Sequence, residues 1–209
     1  MSSQEARQVG TQFSKPLPII HINGYPGTGK KTIATRLLPL LSPYTTSLIH
    51  NHQLINPAAA ILPRTSPDYQ PLRKAIRTAV FDALATSKDT FGSVYVFTDF
   101  QSTDEVGSAV MEEYKDMARR RGCVVVPFTL TCEEGENMRR LISEERETHG
   151  KIVDVKLATH FREIENVYEW PDNPFHLELD VTELKAEAAA DILRKHILKV
   201  FAELGHTGP

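Results

Sequence analysis

Ile19-Ile20-His21-Ile22-Asn23-Gly24-Tyr25-Pro26-Gly27-Thr28-Gly29-Lys30-Lys31-Thr32 joins an apolar strand to a glycine-rich turn, a lysine and a helix start. Gly24, Gly27 and Gly29 let successive backbone N–H groups converge on an anion, and the helix that follows brings its positive N-terminal end to the same point. Lys30 supplies a mobile positive charge. β-Branched residues precede the turn, and Ile33, Leu37, Leu38 and Leu41 follow it at helical spacing, so both flanks have the context that a phosphate-binding loop requires. The plain alternative is a turn that holds no ligand. The fixed positions of Lys30 and Thr32 favour a nucleoside-triphosphate site, with Gly24, Gly27, Thr28, Gly29, Lys30, Lys31 and Thr32 around the phosphates.

Working outward, Leu17 to Ile22 reads as the first strand, Lys30 to Leu40 as the first helix and Thr46 to Ile49 as the second strand. Four prolines between Asn56 and Pro71 predict a region broken into short pieces, a candidate substrate flap. Leu72, Ile76, Ala79, Val80 and Ala83 then form a helical stripe. Ser93 to Thr98 is a strand ending at Asp99, Asp104 to Arg121 a polar helix, and Cys123 to Leu130 a further strand. Glu133 to Glu145 and Asp154 to Tyr168 read as charged helices flanking a mobile lid near 139–153. Phe175 to Leu179 is the last strand, and Leu184, Ala188, Ile192, Ile197 and Val200 mark the apolar side of a closing helix. The sum is an α/β three-layer sandwich, a five-stranded parallel sheet with helices on both faces. Its crossovers are expected to set the glycine-rich loop beside the ends of the second and third strands.

Composition narrows the function classes. The 209 residues, 41% hydrophobic, fit a single domain over 16–204, between a disordered tail at 1–15 and a flexible end at 205–209. A formal charge of −3 argues against a broad nucleic-acid surface, and no apolar run is long enough for a bilayer. Cys123 and Cys132 form no metal or disulfide framework, so a reduced, cytoplasmic setting is expected, with both thiols in the core. There is no Asn-Lys-x-Asp guanine-reading motif, and no Asp-Glu pair ends the third strand as in a motor ATPase.

The loop departs from its commonest form at Lys31, which stands where Ser or Thr usually meets magnesium; Thr32 follows one residue later. Gly-x-Pro-Gly-x-Gly-Lys-x-Thr is similar to the loop of adenylate kinase and its nucleoside-monophosphate-kinase relatives. From Pro16 onward the chain resembles a P-loop kinase of that group, which includes small-molecule kinases often described as AAA-type ATP-binding proteins. The resemblance implies ATP and Mg2+, a loop on the β- and γ-phosphates, a lid supplying arginines, and a small-molecule acceptor met at the end of the second strand. It also implies that Asp180 and Thr182, leaving the last strand, lie where the adenine is wrapped.

Each role has a candidate and a plainer reading beside it. Asp99 sits where a Walker B-like carboxylate would orient magnesium or accept the acceptor's proton, and an Asp there also caps the following loop. Metal contacts are therefore expected from Thr32 and Asp99. His50-Asn51-His52 follows the second strand without any acidic residue, so the three are expected to contact the acceptor, with a histidine as base an open alternative. Zinc is rejected, since His-x-His lacks a third ligand in sequence. Arg139, Arg140 and Arg146 flank the lid; Arg140 and Arg146 are the choices for the transferring phosphate, against simple pairing with Glu136, Glu144 and Glu145. Arg119 to Arg121 complement a helix dipole and receive no site role. Trp170 reads as a core anchor. The chain is expected to work as a monomer or homodimer, and a nucleotide-binding switch without phosphotransfer is the competing reading.

Overall fold

The computed structural model describes residues 15–141 and 166–206. Five strands, β1 (Ile19–Asn23), β2 (Thr45–His50), β3 (Ser93–Thr98), β4 (Val125–Thr131) and β5 (Leu177–Asp180), form one all-parallel sheet in the order β2-β3-β1-β4-β5. β1 is central and buried along its whole length, which is why it reads as a near-continuous apolar run. Its alternation still sorts side chains to two faces. Ile20 and Ile22 join one core cluster, whereas Ile19 joins the other.

The helices described are α1 (Lys30–Leu40), α2 (Asn51–Ile61), α3 (Tyr69–Thr86), α4 (Glu105–Arg121), α5 (Glu134–Leu141) and α6 (Ala186–Glu203). One face of the sheet is covered by α1 and α6, through Ile33, Leu37, Leu193 and Ile197 against Val96, Val126 and Phe128. The other is covered by α3 and α4, with Leu54 of α2, through Phe81, Leu84, Met111 and Tyr114 against Phe97 and Val125. The three-layer α/β architecture is thus as expected. Truncating a fully buried aromatic such as Phe97 or Phe128 to Ala should cost about 3–5 kcal/mol. No described helix is long and apolar enough to cross a membrane.

Several local expectations change. β1 lies between β3 and β4, so the glycine-rich loop sits beside the ends of the third and fourth strands, and β2 lies beyond β3. The proline-rich region is not broken into short pieces, because α2 begins directly after β2 and runs through Pro57. Pro71 falls in the first turn of α3, where a backbone N–H has no intrahelical partner to lose. Only 62–68 is a connection, closed by Ser66 N–H to Pro63 O at 2.9 Å and Tyr69 N–H to Ser66 O at 3.1 Å.

The buried face of α3 carries Tyr69, Arg77, Phe81 and Leu84 rather than the stripe at Leu72, Ile76, Ala79, Val80 and Ala83. An arginine in the middle of the true stripe hid it. Arg77 is tolerated there because its Nε and Nη2 donate to Glu113 of α4 at 2.5 and 2.9 Å. On α6 the expected Ala188 is exposed, while Ala189, Ala190 and Leu193 are buried with Ile197 and Val200.

At the far end of α4, Gly122 takes a left-handed conformation (φ 77°) and closes the helix. Arg121 is more than a dipole partner. It is buried, and its guanidinium donates to the carbonyls of Leu84 and Thr90 and to Thr90 Oγ1, each at 2.7 Å. Trp170 is 3% exposed and anchors the core as expected. The region expected as a helix to Tyr168 ends otherwise: Val167 forms an antiparallel bridge to Ser102. Most of that segment, with most of the proposed lid, lies outside the described residues.

Candidate active site

The loop between β1 and α1 is held open by its glycines. At Gly27 the backbone has φ 98°, and a Cβ there would meet Asn137 Nδ2 at 2.4 Å. At Gly24 a Cβ would meet the Leu130 carbonyl oxygen at 2.6 Å. Neither position admits a side chain, so the backbone itself lines the loop. Buried Thr28 tightens it by donating Oγ1–H to the Tyr25 carbonyl at 3.0 Å. Lys30 Nζ donates to the carbonyl oxygens of Gly24 and Tyr25. Thr32 is exposed on the first turn of α1, and Lys31 is half-exposed beside it. Convergent amides, a helix N-terminus and an ammonium make a donor set that fits a polyphosphate.

This loop is tied to the exit of β5. Asn137, 1% exposed on α5, donates Nδ2–H to the Pro26 carbonyl at 3.0 Å. One turn on, Arg140 Nε donates to Glu136 at 2.6 Å, and its Nη2 donates to the carbonyls of Val181 and Thr182 at 2.9 and 2.8 Å. Asp180 Oδ1 accepts from the Thr182 N–H at 2.8 Å, which with the Thr182 hydroxyl holds its carboxyl below the usual range. Thr182 Oγ1 in turn accepts from the Glu133 N–H at 2.8 Å. The structure therefore joins Gly24–Thr32, Arg140, Asp180 and Thr182 through one short helix. Arg139 pairs with Glu136 at 2.7 Å on the exposed side. Arg146 lies outside the described residues.

On the other flank of the loop, Asp99 follows β3, its N–H bonded to the Ile22 carbonyl at 3.0 Å. It is 3% exposed. Burial raises its pKa, although hydrogen bonds from Gln101 and Phe100 and the charges of Arg73 and Arg77 pull the other way. Tyr114 O–H donates to Asp99 Oδ2 at 3.3 Å, and burial beside that carboxyl raises the Tyr114 pKa well above its ordinary value. To ligate a cation Asp99 must ionise, against the direction in which burial pushes it. The loop-capping reading also has a counterpart, since Oδ1 accepts from the Phe100 N–H at 2.9 Å.

His50 pairs with Thr98 across the β2–β3 ladder, which brings the end of β2 next to Asp99. Its own N–H donates to Gln53 Oε1 at 2.8 Å, so His50, Asn51 and His52 belong to the start of α2. His52 Nδ1 lies 3.4 Å from Asn56 Oδ1. Among the described residues no three His, Cys, Asp or Glu side chains converge as a metal site.

Two residues of β1 escaped the sequence reading. Asn23 is fully buried, donates Nδ2–H to the carbonyls of Gln101 (2.9 Å) and Tyr168 (3.0 Å), and accepts at Oδ1 from the Gln101 N–H (2.9 Å). His21, also fully buried, accepts at Nδ1 from Trp170 Nε1–H at 3.3 Å, and burial first, then the Lys30 charge, lowers its pKa to about 3. A polar residue in an otherwise apolar strand was the available signal for both.

No protein-family model matches the sequence, and no curated protein does either. Solved structures do. A gluconokinase from Sinorhizobium meliloti superposes with a TM-score of 0.57 at 13% identity, over 91% of this chain and 97% of that one. The fold is that of the P-loop kinases. The APS kinase of Mycobacterium tuberculosis, in complex with AMPPNP and APS, gives 0.56 at 13% identity over 88% and 99% of the two chains. The thymidylate kinase of Candida albicans gives 0.51 at 15% over 93% and 95%. Within the P-loop kinase fold, the β1–α1 loop and the ends of β2, β3 and β5 share the carboxyl edge of the sheet, where such sheets bind ligands. A groove of about 490 Å³ lined by Lys115, Trp170, Asn173 and Phe175 lies instead at the amino ends of β4 and β5.

Proposed function

We propose that the chain is an ATP-dependent kinase that transfers the γ-phosphoryl group to a hydroxyl or phosphate of a small molecule. The observation that carries this reading is the single connected unit formed by the glycine loop, α5 and the β5 exit through Asn137 and Arg140. One end suits polyphosphate and the other a base, with Asp180 and Thr182 at that edge. The acceptor oxygen attacks the γ-phosphorus, ADP leaves, and the acceptor's proton departs. Lys30 and the amides of Gly27 to Thr32 offset the charge that develops, which is most of what phosphoryl transfer asks of a protein.

Asp99, at the end of β3, would take the acceptor's proton, its raised pKa bringing it closer to neutrality as a base. His50, Asn51 and His52 would meet the acceptor from the start of α2. Arg146 would approach the transferring phosphate, and Arg140 would do so only by leaving its present carbonyl partners. Magnesium would be held chiefly by the nucleotide's phosphates and water, with Thr32 and an ionised Asp99 as the protein's contribution; it would add positive charge at the phosphates.

The test is ATP consumption with magnesium across nucleosides, nucleotides, sugars and hydroxylated natural products, with the phosphorylated product identified by mass spectrometry. A product that disappears in Lys30→Ala establishes the kinase. AMPPNP binding without any product across the panel would overturn it in favour of a nucleotide-binding switch.

A further inference from the structure

On α3, Tyr69, Arg73 and Arg77 follow one another at i, i+4 and i+8, and so lie along one face of the helix. Arg77 is neutralised by Glu113. Arg73 is not: it donates to Gln70 Oε1 at 3.1 Å and stands 5.8 Å from the Tyr69 ring centroid, and among the described residues no carboxylate forms a salt bridge with it. It is half-buried, so its charge is held partly out of water. Burial chiefly, and the like charges of Arg77 and Arg64, lower its pKa; Tyr69 and Asp99 oppose this. Tyr69 is 2% exposed and its hydroxyl has no hydrogen-bond partner. A buried hydroxyl without a partner is uncommon enough in folded proteins to require a reason.

We propose that Tyr69 and Arg73, with Arg64 of the adjoining connection, recognise an anionic group on the acceptor: a carboxylate, phosphate or sulfate. Guanidinium groups offer only donors, and the Tyr69 hydroxyl has its proton to give, so the partner they lack is rich in acceptors and negative. Asp99 does not supply it, because among the described residues it forms no salt bridge with Arg73, and its two carboxyl oxygens already accept from the Phe100 N–H and the Tyr114 hydroxyl. The position is right for an acceptor. Asp99 is bracketed by α3 and α4, and Phe100, the next residue, lies with its ring 5.6 Å from that of Tyr25 in the glycine loop. The anionic group would be anchored at α3 while the reacting oxygen faces the loop. This assignment rests on the kinase reading for calling the ligand an acceptor; the anion site itself does not depend on it.

The experiment saturates the protein with AMPPNP and magnesium and titrates inorganic phosphate by calorimetry, for wild type, Arg73→Ala, Arg73→Lys and Tyr69→Phe. Arg73→Ala should weaken phosphate binding at least tenfold with AMPPNP affinity unchanged, Arg73→Lys should recover part of it, and Tyr69→Phe should weaken it several-fold. Should Arg73→Ala fail to fold, Arg73→Lys and Tyr69→Phe still decide. Equal phosphate affinity in wild type and variants, or none in wild type, overturns the proposal. So does a Tyr69→Phe protein that is more thermostable yet binds phosphate unchanged, since the hydroxyl would then be only an unsatisfied group. Failure of AMPPNP to bind would sink the kinase reading alone, and the same phosphate comparison on a Lys30→Ala background would still judge this site.

Discussion

The two flanks of the glycine loop are built in different ways. Toward β5, the bonds that tie the loop to the strand's exit run from side chain to backbone: Asn137 to Pro26, and Arg140 to Val181 and Thr182. Toward β2 and β3, side chains also meet one another, with Arg77 on Glu113, Tyr114 on Asp99 and Arg73 over Tyr69, beside the backbone bonds of Asn23 and Asp99. A ligand common to many enzymes, a nucleotide, can be held by backbone geometry that glycine spacing sets. A ligand particular to one enzyme has to be read by side chains, and these arrive from separate elements. On the proposed function, the flank toward β5 would hold the nucleotide and respond to a change of backbone space, and the flank toward β2 and β3 would hold the acceptor and respond to a change of charge.

Lys30→Ala is the sharpest way to break this contrast. Turnover should fall roughly thousandfold with the fold retained, as removal of a charge stabiliser at a transferring phosphate does; a far smaller loss, measured with thermal stability as control, would deprive the loop of its role. His21 comes next, lying under the loop between the two flanks. It is neutral in the fold with a pKa of about 3 against an ordinary 6.5, so its contribution is complete above pH 6.5 and is lost as pH falls toward 3. Denaturation at pH 6.5 and 4.5 should differ by about 2 kcal/mol from this group alone. His21→Gln, which keeps an acceptor for Trp170, should flatten that slope.

Gly27→Ala tests the backbone flank directly. The added methyl has no room beside Asn137, so ATP affinity should drop about tenfold or more while phosphate affinity at Arg73 changes little. Asp99→Asn probes the other flank with the opposite pH sign. Its raised pKa means that stability is fullest below the unfolded value and declines as pH rises through the folded one, so the variant should lose the alkaline-side decline together with turnover. The smallest effect is expected from Gln53→Ala, which removes the acceptor of the His50 N–H and should cost about 1 kcal/mol by urea denaturation.

How much was legible follows the same division. Strand β1, its loop and α1 were readable because apolar run, glycines, lysine and helical spacing are contiguous, and the parallel sheet followed from the alternation of strands and helices. The neighbours of β1 were not, since strand order is set by crossovers that no local pattern records. α2 was missed because Pro57 is a poor helix residue on its own, and the turn that encloses it is held by Leu54 and Ala58 in the core. The α3 face was missed because Arg77 breaks the apolar stripe, and only its bond to Glu113, thirty-six residues away, makes it a buried residue. Arg73 and Tyr69 escaped for a related reason: an arginine and a tyrosine on a helix are ordinary until folding buries the tyrosine hydroxyl without a partner and sets the arginine over its ring.

Asn23 binds two other parts of the chain only through their main-chain atoms, the N–H and C=O of residue 101 and the C=O of residue 168. Those partners offer the same groups whatever side chains they carry, proline at 101 excepted because it lacks the N–H. Positions 101 and 168 can therefore change without disturbing the clamp, and position 23 cannot, because Asp lacks the two donors and Leu lacks every polar atom. The tolerance to substitution around this joint is lopsided, with one residue bearing the whole of the chemical demand for three strands of chain. A saturation library would show position 23 nearly closed on account of the clamp, whereas positions 101 and 168 would be limited only by their side chains' own contacts, Gln101 with Asp99 and Tyr168 with Lys115 and Trp170.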